Sequence, residues 1–253
     1  MFARRLLVVI ILLVPALAAA GDRLVVAVAS NFAGTAEELA TAFSAESAAE
    51  VRISVGSTGK LYGQIVNGAP FDVFLAADAE RPALLEKTGR SVSGSRRTYA
   101  IGALVLWSRD PGLQDDCADA LATLDGRLAI ANPVIAPYGR AAVEYLQASG
   151  LWDKLESSLV FGENASQTLQ FIATGNARAG LVAASHVINS ELPAATCSWP
   201  VPQDMHGPIE QQAVVLTRSG NTQLALQFLD YLCSESGREI IATAGYRLPE
   251  CEL

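Results

Sequence analysis

The chain has 253 residues, 51% of them apolar and 17% charged, with 26 acidic against 18 basic side chains and a formal charge of −8. That length builds one large domain or two smaller ones with real cores, and the apolar share excludes a disordered chain. The acidic balance argues against a nucleic-acid binder, which carries a clustered basic face; two histidines, His186 and His206, and four dispersed cysteines exclude zinc ribbons, fingers and the metalloprotease helix.

Residues 1–20 read as a secretory signal peptide: Arg4 and Arg5 at the start, an unbroken apolar run over 6–14, and small residues at 16–20 apart from Leu17. The run is shorter than the roughly 20 residues of a spanning helix. Cleavage is expected near Ala20–Gly21, leaving 16 basic and 26 acidic side chains and a mature charge of −10. Export to an oxidising compartment predicts two disulfides from the four cysteines, with three pairings open. Cys233 near the end of a helical pattern and Cys251 in the tail behind it favour Cys233–Cys251, which leaves Cys117–Cys197.

A short β-rich run, a loop of small residues and a helix-period segment then recur along the chain. Residues 24–29 (LVVAVA) are strand-like, 30–34 form the loop, and Ala36, Leu39, Ala40 and Phe43 share one helical face. Residues 51–55 make a second strand, 56–59 its loop, and Leu61 and Ile65 begin a second stripe that Gly68 and Pro70 close. A third strand covers 71–76 (FDVFLA). Residues 99–107 form a strand long enough to cross between two units, followed by strands at 128–131, 159–162 and 180–184. Helices lie between them at 139–149 and 166–174, closed by Gly150 and Gly175. A late strand at 212–217 and a helical stretch over 223–244, broken near 234–237, complete the chain. Alternation of this kind indicates α/β architecture with parallel or mixed sheets flanked by helices. Two such units joined by two crossings predict a bilobed protein with a hinge, residues 21–100 and 205–253 in lobe I and 101–204 in lobe II.

In an open parallel sheet, ligands bind at the carboxyl ends of strands, where helix N-termini face the crevice. Four loops occupy that position: Ser30-Asn31, Gly56-Ser57-Thr58-Gly59, Pro137-Tyr138-Gly139 and Asn164-Ala165-Ser166. Hydroxyls, amides and bare N–H groups at a helix start form an anion site, because those N–H groups lack internal partners and the dipole favours negative charge. One such loop is ordinarily a plain N-cap; four in one chain converge on a ligand. Only Glu163 brings a carboxylate next to them. The run Gly56–Lys60 is not a nucleotide P-loop, since Ser54 and Leu61 stand where that motif needs Gly and Ser or Thr.

Enzyme signatures are scarce, with neither G-x-S-x-G nor H-E-x-x-H present. His186 and His206 lie far from the four loops in sequence and read as structural or surface residues. Asp72 and Asp78 flank the third strand and could pair for acid–base work, but Asp78 at a strand end reads more simply as a cap or a lobe contact. An exported hydrolase using Ser57 or Thr58 as nucleophile needs a base within reach, and Lys60 is the one nearby in sequence.

The segments AVASNFAGTAEELA, VGSTGKLYGQIVNGAPFDVFLAAD, NPVIAPYGRAAVEYL and GENASQTLQF together resemble the periplasmic molybdate-binding proteins of ABC importers, across essentially the whole mature chain. The second segment is the most specific, joining the S-T-G loop to G-A-P-F-D-V-F and A-A-D. The resemblance implies the bilobed periplasmic-binding-protein fold of type II and oxyanion contacts from Ser30, Asn31, Thr58 with Ser57 beside it, Tyr138, and Ala165 through its backbone N–H. Some relatives carry a tyrosine after the strand matching 180–184; this chain has Ala183 there and Tyr138 earlier, so one donor stays open. The implied ligand is molybdate or tungstate, with no other metal, no cofactor and no catalytic residue. The implied partners are a small oxyanion and an inner-membrane ABC permease, with no nucleic acid, for a periplasmic monomer.

The chemistry of the donors fits that ligand class. Molybdate and tungstate carry no proton at neutral pH, so donors alone can hold them, whereas hydrogen phosphate is better served by an acceptor carboxylate. Sulfate, another small anion or a small carboxylate remains the alternative, because donors alone do not exclude them; molybdate and sulfate differ in size. Hydrogen bonds to charged groups contribute about 1.5–3 kcal/mol each, so five to seven of them reach the roughly −8 to −12 kcal/mol of a micromolar-to-nanomolar complex after dehydration and closure.

Overall fold

The computed structural model describes residues 22–113, 117–188 and 194–250, with Cys117 described in its backbone alone. The expected signal peptide and Cys251 lie outside the described residues. The apolar run after Asp22 forms strand β1, Arg23–Ala29, whose residues from Val26 on are fully buried, as a near-continuous apolar strand between two helical layers should be. A 3-10 turn, Ser30–Phe32, leads into helix α1, Ala33–Ser47, which buries Ala36, Leu39, Ala40 and Phe43 on the expected face. Strand β2, Glu50–Gly56, helix α2, Thr58–Val66, and strand β3, Val73–Leu75, follow. Helix α3, Glu80–Lys87, comes next and leads to strand β4, Arg97–Gly102.

The long run expected as one crossing strand is two strands in two sheets. Strand β4 ends at Gly102, and strand β5, Leu104–Ser108, begins after a single residue in the other sheet. Helix α4, Cys117–Ala122, strand β6, Leu128–Ala131, helix α5, Pro137–Ala148, the short helix α6, Trp152–Leu155, and strand β7, Leu159–Gly162, build the second unit. Helix α7, Ala165–Ala173, strand β8, Ala179–Ala183, helix α8, Ala184–Ile188, and strand β9, Cys197–Pro200, complete it. The chain returns to the first sheet through strand β10, Ile209–Val215, and ends on helices α9, Thr222–Cys233, and α10, Glu235–Thr243. Ser234 accepts from the Gly237 N–H at 3.1 Å and so caps α10, at the break expected near 234–237.

The two sheets share one plan. Their strand orders are β2-β1-β3-β10-β4 and β7-β6-β8-β5-β9. In each, the first three strands are parallel, and the fourth, which carries the chain across from the other sheet, runs antiparallel. The sheets are therefore mixed, because a strand arriving from the opposite lobe enters from the far end. A core of Leu24, Val26, Val28, Phe32, Leu39, Phe43, Phe228 and Leu232 packs α1 and α9 on one sheet; Leu104, Leu106, Leu128, Ile130, Tyr145 and Leu181 do the same between α5 and the other. Cys197 and Cys233 are each disulfide-bonded, and no cysteine among the described residues is free. The side chains of Cys117 and Cys251, their expected partners, lie outside the described residues.

Candidate anion-binding cleft

Strands β1 and β2 in one lobe and β6 and β7 in the other end toward the same place, and the loops that follow them meet. Ala29, Ser30, Asn31, Ser57, Thr58, Ala77, Ala136, Pro137, Tyr138, Asn164 and Ala165 enclose a small cavity. All six expected contact residues, Ser30, Asn31, Ser57, Thr58, Tyr138 and Ala165, are in that lining, and each is at most 5% exposed. No lining residue carries a charged side chain.

Two of the three α-helix starts at the cavity, those of α2 and α5, carry no side-chain cap. Ser57 holds the N-cap position of α2 with extended backbone, yet its side chain makes no cap hydrogen bond, and its Oγ is buried with no partner. The N-cap of α5 is Ala136, which has no capping group, and Pro137 has no N–H, so the first unpaired backbone donor of that helix is Tyr138. Asn164 caps α7 by accepting from the Gln167 N–H at 3.0 Å; the N–H groups of Ala165 and Ser166, in the same first turn, have no intrahelical partner. Thr58 Oγ1 accepts from the Ala77 N–H at 3.2 Å, which leaves the hydroxyl hydrogen to donate elsewhere. The side-chain amide of Asn31 is engaged inside the protein, donating to Gln211 Oε1 at 2.9 Å and to the Tyr246 hydroxyl at 3.2 Å.

The lobes touch around this cavity. Gly59 N–H donates to the Ile135 carbonyl at 2.9 Å, an approach that a side chain at 59 would block, since its first carbon would fall 2.9 Å from Ile135 Cα. Ser166 and Ser185 hydroxyls donate to the carbonyls of Ser30 and Asn31 at 3.3 and 3.0 Å. Lys60 Nζ lies 2.6 Å from Glu163 Oε1 with both side chains about half exposed, so this carboxylate belongs to the rim and Lys60 is engaged as its partner. Asp78 plays both parts expected of it: Oδ1 accepts from the Arg81 N–H near the start of α3 at 3.1 Å, and Oδ2 pairs with Arg81 and, at 3.7 Å, with Arg140 of the other lobe. Asp72 is a structural tie, accepting from Val25 N–H at 2.7 Å, Ser219 hydroxyl at 2.8 Å and Gly220 N–H at 2.9 Å.

Sequence reasoning missed a polar network behind the first loop. Gln211 Oε1 accepts from Asn31 and, at 3.2 Å, from Tyr99. The Tyr246 hydroxyl donates to the Asn31 carbonyl at 2.6 Å. His186, placed by sequence far from the loops, donates through Nε2 to the Ser30 carbonyl at 3.1 Å; the acceptor has no hydrogen, so Nε2 carries it. Burial lowers its pKa, against the raising effect of that bond, and favours the neutral ring. His206 bonds the adjacent Gly207 carbonyl at 2.7 Å and stands apart from the cavity. Burial pushes the phenols of Tyr99 and Tyr138 well up and that of Tyr246 to about 12, so all three are neutral near neutral pH. The burial of Tyr99 and Tyr246 reflects the long-range pairing of β4, β10 and the C-terminal segment, for which no local signal exists.

The family model for bacterial extracellular solute-binding proteins matches residues 24–247. The chain is 45% identical over 231 residues to the molybdate-binding protein of Rhodobacter capsulatus, covering 91% of this chain and 90% of that one. It is also 45% identical over 234 residues to the molybdate-binding protein of Azotobacter vinelandii, covering 92% and 93%. The solved structure of the Azotobacter vinelandii periplasmic molybdate-binding protein superposes with a TM-score of 0.85 at 41% identity, over 90% of this chain and 100% of that one.

Proposed function

The chain belongs to the bacterial extracellular solute-binding proteins, and we propose that it captures molybdate between its two lobes for delivery to an ABC permease. It is a carrier and not an enzyme; the two relatives that share 45% identity over nine-tenths of the chain are binding proteins. The observation that carries the reading is the character of the cavity: residues from both lobes, no charged side chain, and the starts of α2 and α5 without their usual caps. Such a site is rich in hydrogens and holds no carboxylate. A doubly negative tetrahedral anion without protons takes a hydrogen from every donor, while hydrogen phosphate must turn a hydroxyl such as Ser57 from donor to acceptor and so forfeits a charge-assisted bond of about 1.5–3 kcal/mol.

In this reading Ser30, Ser57 and Thr58 donate from lobe I through hydroxyls and first-turn N–H groups, and Asn31 through its main chain, because its amide is engaged by Gln211 and Tyr246. Tyr138 and Ala165 donate N–H groups from lobe II, at the starts of α5 and α7. The positive ends of those helices supply what a lysine would supply elsewhere. Tungstate, of the same charge and shape, binds comparably. Delivery takes place from the periplasm, by a monomer, to a permease in the inner membrane, with no cofactor. Closure is a hinge motion at the two crossings, 102–104 and 200–209, and the closed form is the signal that cargo is present.

Calorimetric titration of the mature protein with molybdate, tungstate, sulfate and phosphate tests this. Strong and comparable heats are expected for the first two, with much weaker binding of sulfate and none of phosphate. No heat and no thermal shift with molybdate or tungstate would refute the proposal.

A further inference from the structure

Tyr138 carries two groups with different tasks. Its N–H stands at the start of α5 among the cavity residues, while its phenol reaches back to the first crossing. The hydroxyl lies where a side chain at Gly102 would be: a carbon built there would overlap that oxygen and fall 3.0 Å from Tyr138 Cζ and 3.1 Å from Gln211 Nε2. Gly102 is the last residue of β4 in lobe I, one residue short of the strand that belongs to lobe II. Its φ is not in the left-handed region, so no backbone demand accounts for glycine here. The Tyr138 hydroxyl and Gln211 Nε2 are both buried without a partner, and Tyr138, 2% exposed, belongs to a buried cluster that includes Ala29 and Ala77 of lobe I as well as Ala141 and Ala142 of its own helix.

We infer that Gly102 is a positioning residue for closure, the seat on which lobe II comes to rest, and that Tyr138 transmits this seating to the anion. When the lobes meet, the phenol settles over the bare Cα at the crossing, and the N–H of the same residue arrives at the cavity. Of the three atoms nearest to a methyl at 102, two belong to Tyr138 of lobe II and one is the tip of Gln211, so the severe collision is with a ring that arrives when the lobes close. Lobe separation is thereby linked to donor placement through one side chain, and the share of molecules able to bind falls when the seat is filled.

Lys60 and Glu163 provide a readout that needs no ligand, because they lie 2.6 Å apart across the lobes and a zero-length carbodiimide joins them as an amide only in the closed form. Wild type, Gly102→Ala and Gly102→Ala/Tyr138→Phe are crosslinked with and without molybdate, and the joined peptide is quantified by mass spectrometry. Thermal unfolding of each ligand-free protein and calorimetric titration run beside it. Gly102→Ala should keep the wild-type Tm without ligand, lose crosslink by about fivefold or more, and bind molybdate at least about tenfold more weakly. The double variant loses the oxygen that overlaps but keeps the ring carbon 3.0 Å away, so it should regain part of the crosslink relative to Gly102→Ala. Wild-type crosslinking in Gly102→Ala, an unfolded ligand-free Gly102→Ala, or a double variant that regains nothing would overturn the inference, as would a wild type that never forms the crosslink. The affinity arm rests on the molybdate reading; a wild type that crosslinks and ignores molybdate would fail that reading, and the crosslinks of the variants would still decide the role of Gly102.

Discussion

Replacing Ser57 with alanine should move affinity and stability apart. A serine at an N-cap normally bonds a first-turn N–H, and its loss costs about 1 kcal/mol of stability. Ser57 makes no such bond, and its Oγ is buried with no partner. Alanine therefore removes no cap from α2; in the closed form without anion it removes a hydroxyl whose unmet desolvation carries a penalty of about 1–3 kcal/mol, and in the open form it removes a solvated one. The ligand-free Tm should hold or rise, with 1 kcal/mol corresponding to roughly 2–4 °C at this size. With the anion in place, the same hydroxyl donates to a charged group, a bond of about 1.5–3 kcal/mol, so Kd should weaken roughly ten- to 150-fold. Differential scanning calorimetry without anion and titration with molybdate, on one preparation, measure both. A ligand-free Tm several degrees lower with unchanged affinity would make Ser57 an ordinary cap and refute the reasoning.

Asp72→Asn should act in the opposite way, on stability alone. Its carboxylate holds Val25, Ser219 and Gly220 together, so losing the charge should cost about 1.5–3 kcal/mol in urea unfolding while molybdate affinity stays within about twofold, since Asp72 is not among the cavity residues. The buried phenols set an alkaline limit. Their folded pKa values lie above the unfolded value of 10.0, that of Tyr246 at about 12, so the neutral forms belong to the fold. Their contribution is complete below pH 10 and declines as pH climbs toward 12. Urea midpoints that fall through that window, and fall less in Tyr246→Phe, are expected; midpoints flat across it would contradict the assignment.

The strands were legible because central parallel strands are apolar on both faces, and β1 shows this at 24–29. The four cavity loops were legible because small donors stand between β1, β2, β6 or β7 and the helical turn that follows. The run over 99–107 reads as one strand because its apolar residues continue on both sides of Gly102, the one local mark of the change; the break at Ala103 is set by the two partners, β10 and β8. Strand β9, with Cys197, Trp199 and Pro200, escaped notice because an edge strand needs no clean alternation. Helix α3 was missed because Pro82 and two glutamates blur its stripe. The network of Gln211, Tyr99 and Tyr246 was out of reach altogether: Gln211 lies 180 residues from Asn31 and Tyr246 lies 215, and a lone buried polar residue has no local signature. The direction of Glu163 was likewise undetermined in the sequence and follows from its pairing with Lys60 at the rim.

Crystals of the mature protein grown with molybdate, with the metal located by its anomalous scattering, test the claim at its centre. The account predicts one metal between Ser57 and Ala165, its four oxygens receiving only hydroxyl and backbone N–H hydrogens from both lobes. An anion held instead by Arg81 or Arg140 at the rim, or a cavity without metal, would contradict it.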